Sequence, residues 1–270
     1  MLFPRLRRAS IALPILLVSI PVVVAWLLRQ VGADRIGLRL AAKSQQIWAR
    51  GTLWILGIRL ETLGPAPKGA FVITANHLSY IDVLVLAALF PSRFLAKSEI
   101  AGWPIIGTIV SLSGTLYIKR GDRNDVPRLV ERMKNTLDAG VGVTFFPEGW
   151  ASRGLTVKKF HAGLLQSAVS GEFPCLPVSL SYSTPNSDFA PAWTVAWWSA
   201  SPLGVHLLRM IRVGPVVAHL RWPTEPLLGT ERKDLANRLH GEVLARFRPL
   251  KQAPLPPVQV GDPLATEGLD

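Results

Sequence analysis

The sequence predicts an α/β fold in which a mixed central sheet is flanked by helices. Two observations predict it. Short runs rich in β-branched and aromatic residues alternate with segments of helical periodicity between residues 71 and 247. The chain has 270 residues, 49% of them hydrophobic, which suffices for one sizeable core but not for two full domains. We therefore expect one catalytic domain with an additional N-terminal segment.

The N-terminal segment, residues 1–60, is predicted to form helices that associate with a membrane. An apolar run from Ile11 to Leu28 is interrupted only by one serine and two prolines. As a helix it would be roughly 27 Å long, close to the ~30 Å of a bilayer core, so spanning and half-inserted arrangements both remain open. A cleaved secretory signal is the competing interpretation, but no small-x-small cleavage pattern follows Leu28.

Basic residues are concentrated in the same segment. Of the formal net charge of +12, eight charges lie in residues 1–59, which hold nine Lys or Arg and one acidic residue. Residues 38–58 interleave apolar side chains with Arg39, Lys43 and Arg50, which predicts a basic amphipathic helix on an anionic membrane surface. An ordinary helix that covers the domain is the alternative. Because the charges flank apolar runs, they favour a membrane over nucleic acid, and no nucleic-acid partner is predicted.

The remaining elements are predicted in chain order. After a linker at 64–67, the first strand covers 71–74, and a helix follows from Ser79 to Phe90 with Ser79 as its N-cap. The clearest helix is 125–139, which has a proline in its first turn and a glycine just past its end. Further strands are predicted at 93–96, 115–118, 141–146, 176–182, 194–199 and 213–222, and further helices near 160–170, 202–211 and 230–247.

The end of the chain and the single cysteine carry no predicted chemistry. Residues 248–270 contain five prolines and no apolar periodicity, which predicts a flexible tail and limits the catalytic domain to 61–247. Cys175 has no second cysteine to pair with, which excludes an intramolecular disulfide and argues against a zinc site. We expect it to be a small buried residue, and no metal site is predicted.

A candidate catalytic pair lies at His77 and Asp82. Because Ser79 is expected to begin a helix, His77 would lie in the preceding loop and Asp82 in the first turn. Asp82 could then reach one imidazole nitrogen and leave the other free as a general base. The alternative is that Asp82 only caps the helix. Glu148 and Gly149 follow the strand 141–146, and the carboxyl end of a strand is where α/β folds place their ligands.

Four sequence segments favour a catalytic role for His77 and Asp82 over a simple helix cap. NHLSYID (76–82), GTLYIKR (114–120), FPEGW (146–150) and CLPVSL (175–180) resemble, in this order, the four blocks of the glycerolipid acyltransferases, specifically the 1-acylglycerol-3-phosphate acyltransferases. The resemblance covers roughly residues 60–245. It implies a membrane-associated enzyme of phospholipid biosynthesis that acylates a lysophospholipid hydroxyl to give phosphatidic acid. The implied donor is acyl-CoA or acyl carrier protein, with no permanently bound cofactor, and the expected location is the cytoplasmic side of the inner membrane.

The resemblance also implies which residues hold the acceptor. Arg120 matches the basic residue that binds the acceptor phosphate, and Glu148 with Gly149 matches the polar turn; a solvated Arg120 is the alternative. The chain departs from the family after this turn, where Arg153 could replace the usual basic residue. The pattern FPEG-x-x-S-x-G is also similar to lyso-ornithine lipid acyltransferases, which leaves that acceptor open. An inactive lipid-binding scaffold is the alternative from another class.

Overall fold

The computed structural model describes residues 34–102, 107, 111, 114–118, 125–185, 189–199, 201–213 and 215–253. The apolar run 11–28, Arg120 and residues 254–270 lie outside these ranges, so the predictions for them stay predictions. Within the described residues, no helix combines the length and the hydropathy that a membrane crossing requires.

Helices alternate with strands through most of the chain. The elements are α1 (Asp34–Leu56), β1 (Ile58–Thr62), β2 (Val72–Ala75), α2 (Ile81–Leu89), β3 (Ser92–Lys97), a 3₁₀ helix (Ser98–Gly102), β4 (Leu116–Ile118), α3 (Asp125–Asp138), β5 (Gly142–Phe145), α4 (Leu165–Ser170), β6 (Cys175–Ser183), α5 (Pro191–Thr194), α6 (Leu203–Val213), β7 (Val216–Arg221) and α7 (Arg232–Arg246).

The strands form one seven-stranded mixed sheet in the order β1-β7-β6-β2-β5-β3-β4. The five strands from β6 to β4 are mutually parallel, whereas β7 runs antiparallel to β6 and parallel to β1. The predicted fold class, a mixed sheet flanked by helices, is therefore confirmed. Because β6, β2 and β5 are parallel neighbours, the chain leaves all three at the same edge of the sheet.

Two apolar cores cover the two faces of the sheet. On one face, α1, α2 and α6 pack over side chains such as Ile73, Val178 and Leu180. On the other face, α3, α4 and α7 pack over Val72, Val143 and the other alternate side chains. Strands buried on both faces read as nearly continuous apolar runs, which explains why the central strands were predictable. Cys175 is fully buried, as predicted, and burial raises the pKa of its thiol to about 12.

Helix α1 covers most of the segment 38–58 that was predicted to be helical, but it ends at Leu56, and Ile58 begins β1. The inner face of α1 packs against α2, and Gln46 and Arg50 donate hydrogen bonds to the carbonyl oxygen of Ala88 at the C-terminal end of α2. These side chains supply donors that the last carbonyls of a helix lack within the helix itself. The opposite face of α1 carries exposed apolar side chains at Ile36, Leu40, Ile47 and Trp54.

The strands predicted from the sequence differ from the observed ones in two places. Residues 194–199 do not form a strand, because 191–194 are helical and the backbone N–H groups of Val195 and Ala196 donate to the carbonyl oxygen of Pro191. Strand β1 was missed, and the predicted domain boundary at residue 61 cuts through it. β1 has only short apolar alternation, and it is defined by its pairing with the distant β7.

Residues 248–253, which the sequence analysis assigns to a flexible tail, make defined contacts with the domain. They pack across the domain as a segment that we call the C-terminal strap. Leu250 is buried, its N–H donates to the carbonyl oxygen of Gly154, and Gln252 accepts a hydrogen bond from the indole of Trp193. The prediction of a flexible tail was therefore wrong for residues 248–253, because one apolar side chain and two backbone contacts order the strap.

Candidate active site

The loop that carries His77 begins where β2 ends. The amide side chain of Asn76 donates from Nδ2 to the carbonyl oxygen of Leu180 (2.9 Å) and accepts at Oδ1 from the N–H of the same residue (2.7 Å). The side chain thus continues the pairing of β2 with β6 for one residue while the backbone turns out of the sheet. This turn places His77 at the sheet edge.

His77 and Asp82 are in direct contact. Nδ1 of His77 lies 2.8 Å from Oδ2 of Asp82, and the carboxylate is fully buried. An ionised carboxylate can only accept, so the proton belongs on Nδ1 and the lone pair on Nε2. Among the described residues, Nε2 has no hydrogen-bond partner, and the side chain is 22% exposed. The imidazole can therefore take a proton from a molecule that enters from solvent.

Asp82 also organises the turn before α2. Its Oδ2 accepts hydrogen bonds from the N–H of Leu78 (2.6 Å) and of Ser79 (2.9 Å). The prediction that Ser79 caps the helix was wrong, because α2 begins at Ile81 and the buried hydroxyl of Ser79 has no partner among the described residues. The two alternatives for Asp82 are thus compatible: one carboxylate holds both the turn and the imidazole.

Phe146 supports the imidazole from the neighbouring strand. Its ring lies parallel to that of His77, with centroids 4.1 Å apart and an interplanar angle of 15°. Because β5 is adjacent to β2, this residue directly after β5 reaches the loop that follows β2. The ring is thus held in its plane by Phe146 and at its edge by Asp82.

Glu148 connects the two loops. Its Oε1 accepts from the N–H of His77 (2.9 Å) and its Oε2 from the N–H of Lys158 (3.2 Å). The residue is only 2% exposed. Burial raises the pKa of this carboxyl to about 7, against the lowering effect of the two N–H donors and of Lys158. The carboxylate predicted to face an incoming substrate thus already has two backbone partners.

The glycines of this turn are required by backbone conformation. Gly149 has φ of 79°, and its N–H donates to the carbonyl oxygen of Phe146. Gly154 also has φ of 79°, and a Cβ atom there would lie 2.6 Å from the Leu250 side chain of the C-terminal strap. Both positions favour glycine because other residues are strained in this left-handed region.

The predicted binding residue Arg153 lies close to the His77 loop. The N–H of the preceding residue, Ser152, donates to the carbonyl oxygen of His77 (2.8 Å). The guanidinium carbon of Arg153 lies 4.4 Å from the ring centroid of Trp193 and 5.4 Å from that of Trp198. These cation–π contacts hold the half-buried side chain in place. The loop of tryptophans that was predicted to be a strand is therefore part of the surroundings of the site.

One residue of the site was missed in the sequence. The hydroxyl of Tyr182, at the end of β6, donates to Oδ1 of Asp82 at 2.6 Å, and both side chains are buried. Tyr182 follows Val178 and Leu180 on the same face of β6, so its position indicates only a core residue. No pattern in the sequence shows that its hydroxyl reaches a carboxylate one hundred residues away.

Comparison with known proteins places the chain among acyltransferases. It matches the acyltransferase family model over residues 57–181. It is 39% identical to the 1-acyl-sn-glycerol-3-phosphate acyltransferase of Neisseria meningitidis over 135 residues, which are 49% of this chain and 53% of that protein. The chain thus spans about half the length of that relative. It is 32% identical to the lyso-ornithine lipid O-acyltransferase of Pseudomonas aeruginosa over 80% of this chain and 82% of that protein.

The fold is also shared with a solved structure. The crystal structure of the 1-acyl-sn-glycerophosphate acyltransferase PlsC from Thermotoga maritima matches with a TM-score of 0.58. The match covers 87% of this chain and 95% of the other, at 18% sequence identity.

Proposed function

Because the chain belongs to the acyltransferase family, we propose that it transfers a fatty acyl group from a thioester to the free hydroxyl of a lysophospholipid. The favoured acceptor is 1-acylglycerol-3-phosphate, and the product is then phosphatidic acid. The observation that carries this proposal is the contact of His77 with Asp82, which leaves Nε2 available at the edge of the sheet where β2 and β5 end.

The chemistry follows from this contact. Nε2 of His77 removes the proton of the acceptor hydroxyl as its oxygen attacks the thioester carbonyl carbon. The buried carboxylate of Asp82 stabilises the imidazolium that forms. When the carbon–sulfur bond breaks, the thiolate leaves and takes up the proton from His77. The thioester is carried by acyl-CoA or by acyl carrier protein, and no permanently bound cofactor is needed.

We keep Arg120 and Arg153 as the residues that bind the acceptor headgroup, and we assign Glu148 and Gly149 other roles. A guanidinium can bind a phosphate with two hydrogen bonds, which suits Arg120 and Arg153. The position of Arg153 beside the His77 loop supports this role. Glu148 is better explained as a residue that positions His77, because its buried oxygens already accept from two backbone N–H groups. Gly149 then contributes the left-handed backbone conformation of the turn.

A lyso-ornithine lipid is the second candidate acceptor. The alignment with the Pseudomonas relative extends over 80% of this chain, whereas the Neisseria alignment covers 49%. A panel of both lysolipids, each with acyl-CoA and acyl carrier protein as donor, distinguishes these cases. Mass spectrometry of the lipid products identifies the pair that reacts.

We further propose that α1 lies on the surface of an anionic membrane, with the catalytic domain on the cytoplasmic side of the inner membrane. Its exposed apolar residues share one side of the helix, because Leu40, Ile47 and Trp54 follow Ile36 by 4, 11 and 18 positions. The exposed Lys43 falls on the same side, which adds attraction to anionic lipids.

This orientation can be measured with a spin label. Because Cys175 is buried, Ile47→Cys introduces one accessible thiol among the described residues, and Glu131→Cys on α3 is the control. On anionic vesicles, we expect a label at 47 to gain contact with oxygen and to lose contact with a water-soluble nickel complex. Equal exposure of the labels at 47 and 131 would contradict the placement of α1 on the membrane surface.

The catalytic proposal is tested with His77→Ala. A general base contributes roughly 10² to 10⁴-fold, so the variant should lose at least 100-fold in kcat while it melts at a similar temperature. The assay is acyl transfer by the purified protein in detergent. Wild-type protein that acylates no lysolipid would favour the inactive scaffold instead.

A further inference from the structure

Four hydrogen bonds converge on the carboxylate of Asp82. Oδ2 accepts three of them, from Nδ1 of His77 and from the N–H groups of Leu78 and Ser79. Oδ1 accepts one, from the hydroxyl of Tyr182, at 2.6 Å. Because Asp82 is fully buried, Tyr182 supplies the hydrogen bond that solvent would otherwise supply to this oxygen.

The hydroxyl of Tyr182 can only act as a donor here. Burial raises the pKa of this phenol well above its usual value, and the charge of Asp82 raises it further. The phenol therefore stays neutral, and an ionised carboxylate accepts its proton in a short charge-assisted hydrogen bond. Tyr182 also lies on strand β6, where it pairs with Ala218 of β7.

We propose that Tyr182 is a positioning residue of the acyl transfer, which holds Asp82 in register with His77 and limits how strongly that carboxylate attracts the imidazole proton. This inference rests on the proposed function. It adds to the His77–Asp82 pair a third member, from β6, that touches neither substrate nor donor.

The hydroxyl determines both the geometry and the charge of the pair. Without it, Oδ1 is a buried acceptor with no partner, and rotation of the carboxylate to compensate would disturb the contacts of Oδ2. If the carboxylate does not rotate, its charge is less neutralised, so it stabilises the imidazolium of His77 more strongly. The ring then becomes available as a base only at higher pH.

Other ionisable groups near Asp82 must be considered in such a pH dependence. Burial raises the pKa of Glu148 to about 7, with a smaller contribution in the same direction from the charge of Asp82, so Glu148 titrates in the same pH range in the wild type and in both tyrosine variants. His206 lies farther away and contacts Tyr80, whose hydroxyl is 3.2 Å from its Nδ1. Burial lowers the pKa of His206 to about 4, so it stays neutral through the range of an activity assay.

The test is the pH profile of kcat/KM for Tyr182→Phe, which removes one oxygen atom. We expect kcat to fall about tenfold and the acidic limb of the profile to move up by about 0.5 to 1 pH unit. Tyr80→Phe is the matched control, because it removes the phenol oxygen of a half-buried tyrosine that contacts His206 instead of Asp82. Its acidic limb should not move.

A purely structural role would give a different result. It would lower the melting temperature and the yield of active enzyme without moving the acidic limb, and an unmoved limb in folded Tyr182→Phe overturns the proposal. If that variant does not fold, biosynthetic replacement of tyrosine by 3-fluorotyrosine in the Tyr80→Phe background gives the opposite test. The more acidic phenol should move the limb to lower pH, and no movement overturns the proposal.

A magnetic resonance measurement separates this proposal from the proposed function. The Nδ1 proton of His77, identified by its loss in His77→Ala, should resonate downfield, and it should shift in Tyr182→Phe but not in Tyr80→Phe. This readout needs no turnover. Wild-type protein without transferase activity would therefore refute the function while leaving the role of Tyr182 to be decided by the resonance.

Discussion

Replacing Glu148 by glutamine separates two roles for this side chain. The carboxylate accepts from the N–H of His77 at one oxygen and from the N–H of Lys158 at the other. A glutamine has the same shape but only one acceptor oxygen, so its NH₂ group must face one of these donors. In either orientation the N–H of His77 keeps, at best, a neutral acceptor in place of a charged one.

The size of the effect follows from these contacts. Changing a charged acceptor to a neutral one, or losing the acceptor at a buried N–H, costs about 1 to 3 kcal/mol. If this cost appears as misplacement of the imidazole in the transition state, kcat falls about 5- to 160-fold. KM for the lysolipid should change little, because the buried carboxylate at 2% exposure does not face the acceptor.

The assay is steady-state acyl transfer at pH 8, where Glu148 of the wild type is ionised, since burial raises its pKa to about 7. Glu131→Gln, at an exposed position of α3, makes the same change in charge and serves as the control. A raised KM with unchanged kcat in Glu148→Gln would refute the positioning role and return Glu148 to direct contact with the acceptor.

Unfolding provides an independent check of the same residue. Because the pKa of Glu148 is raised from 4.5 to about 7 in the folded protein, its contribution to stability is complete below pH 4.5 and is lost as the pH rises through 7. Between pH 5 and pH 8 this contribution amounts to about 2 to 3 kcal/mol. Glu148→Gln should lack this part of the pH dependence, whereas Glu131→Gln should retain it.

Four further substitutions test other contacts. Asp82→Asn should lower kcat at least 100-fold. It should also lower the free energy of unfolding by about 1 to 3 kcal/mol, because the N–H groups of Leu78 and Ser79 need an acceptor. An unchanged kcat in a folded variant would contradict a catalytic His77–Asp82 pair. Ser79→Ala should keep both activity and stability, since its hydroxyl has no partner among the described residues. A loss of about 0.5 to 2 kcal/mol in the free energy of unfolding would instead support Ser79 as the N-cap. Gly154→Ala should lower the melting temperature, and Leu250→Ala should partly reverse this by removing the atoms 2.6 Å from the new Cβ; additive losses would argue against that clash.

The parts of the fold that the sequence predicts are those with strong local patterns. Strands β2 and β5 are short and largely apolar, β6 alternates apolar residues with serines in its second half, and α3 has a regular apolar stripe, so their existence follows from local pattern. The loop of His77 was located for the same reason, since its chemistry follows a predicted strand. The bounds of these elements differ from the predicted ones by one or two residues.

The parts that were not predicted depend on distant partners. β1 is a strand because β7 pairs with it. Residues 195–197 are irregular because their backbone N–H groups donate to the carbonyl oxygens of Pro191 and Leu78 instead of to a neighbouring strand. Tyr182 reads as a core residue until the fold brings Asp82 to its hydroxyl. The partner of Glu148 could not be inferred either, because a backbone N–H has no sequence signature.

The links that build the site join residues far apart along the chain. The separations are 71 residues for His77 with Glu148, 100 for Asp82 with Tyr182 and 104 for Asn76 with Leu180. Contacts this remote close late and slowly during folding. A nascent polypeptide that has left the ribosome only as far as β5 carries the imidazole but none of the support from β6. The site therefore forms only when the whole domain, including β6, has folded.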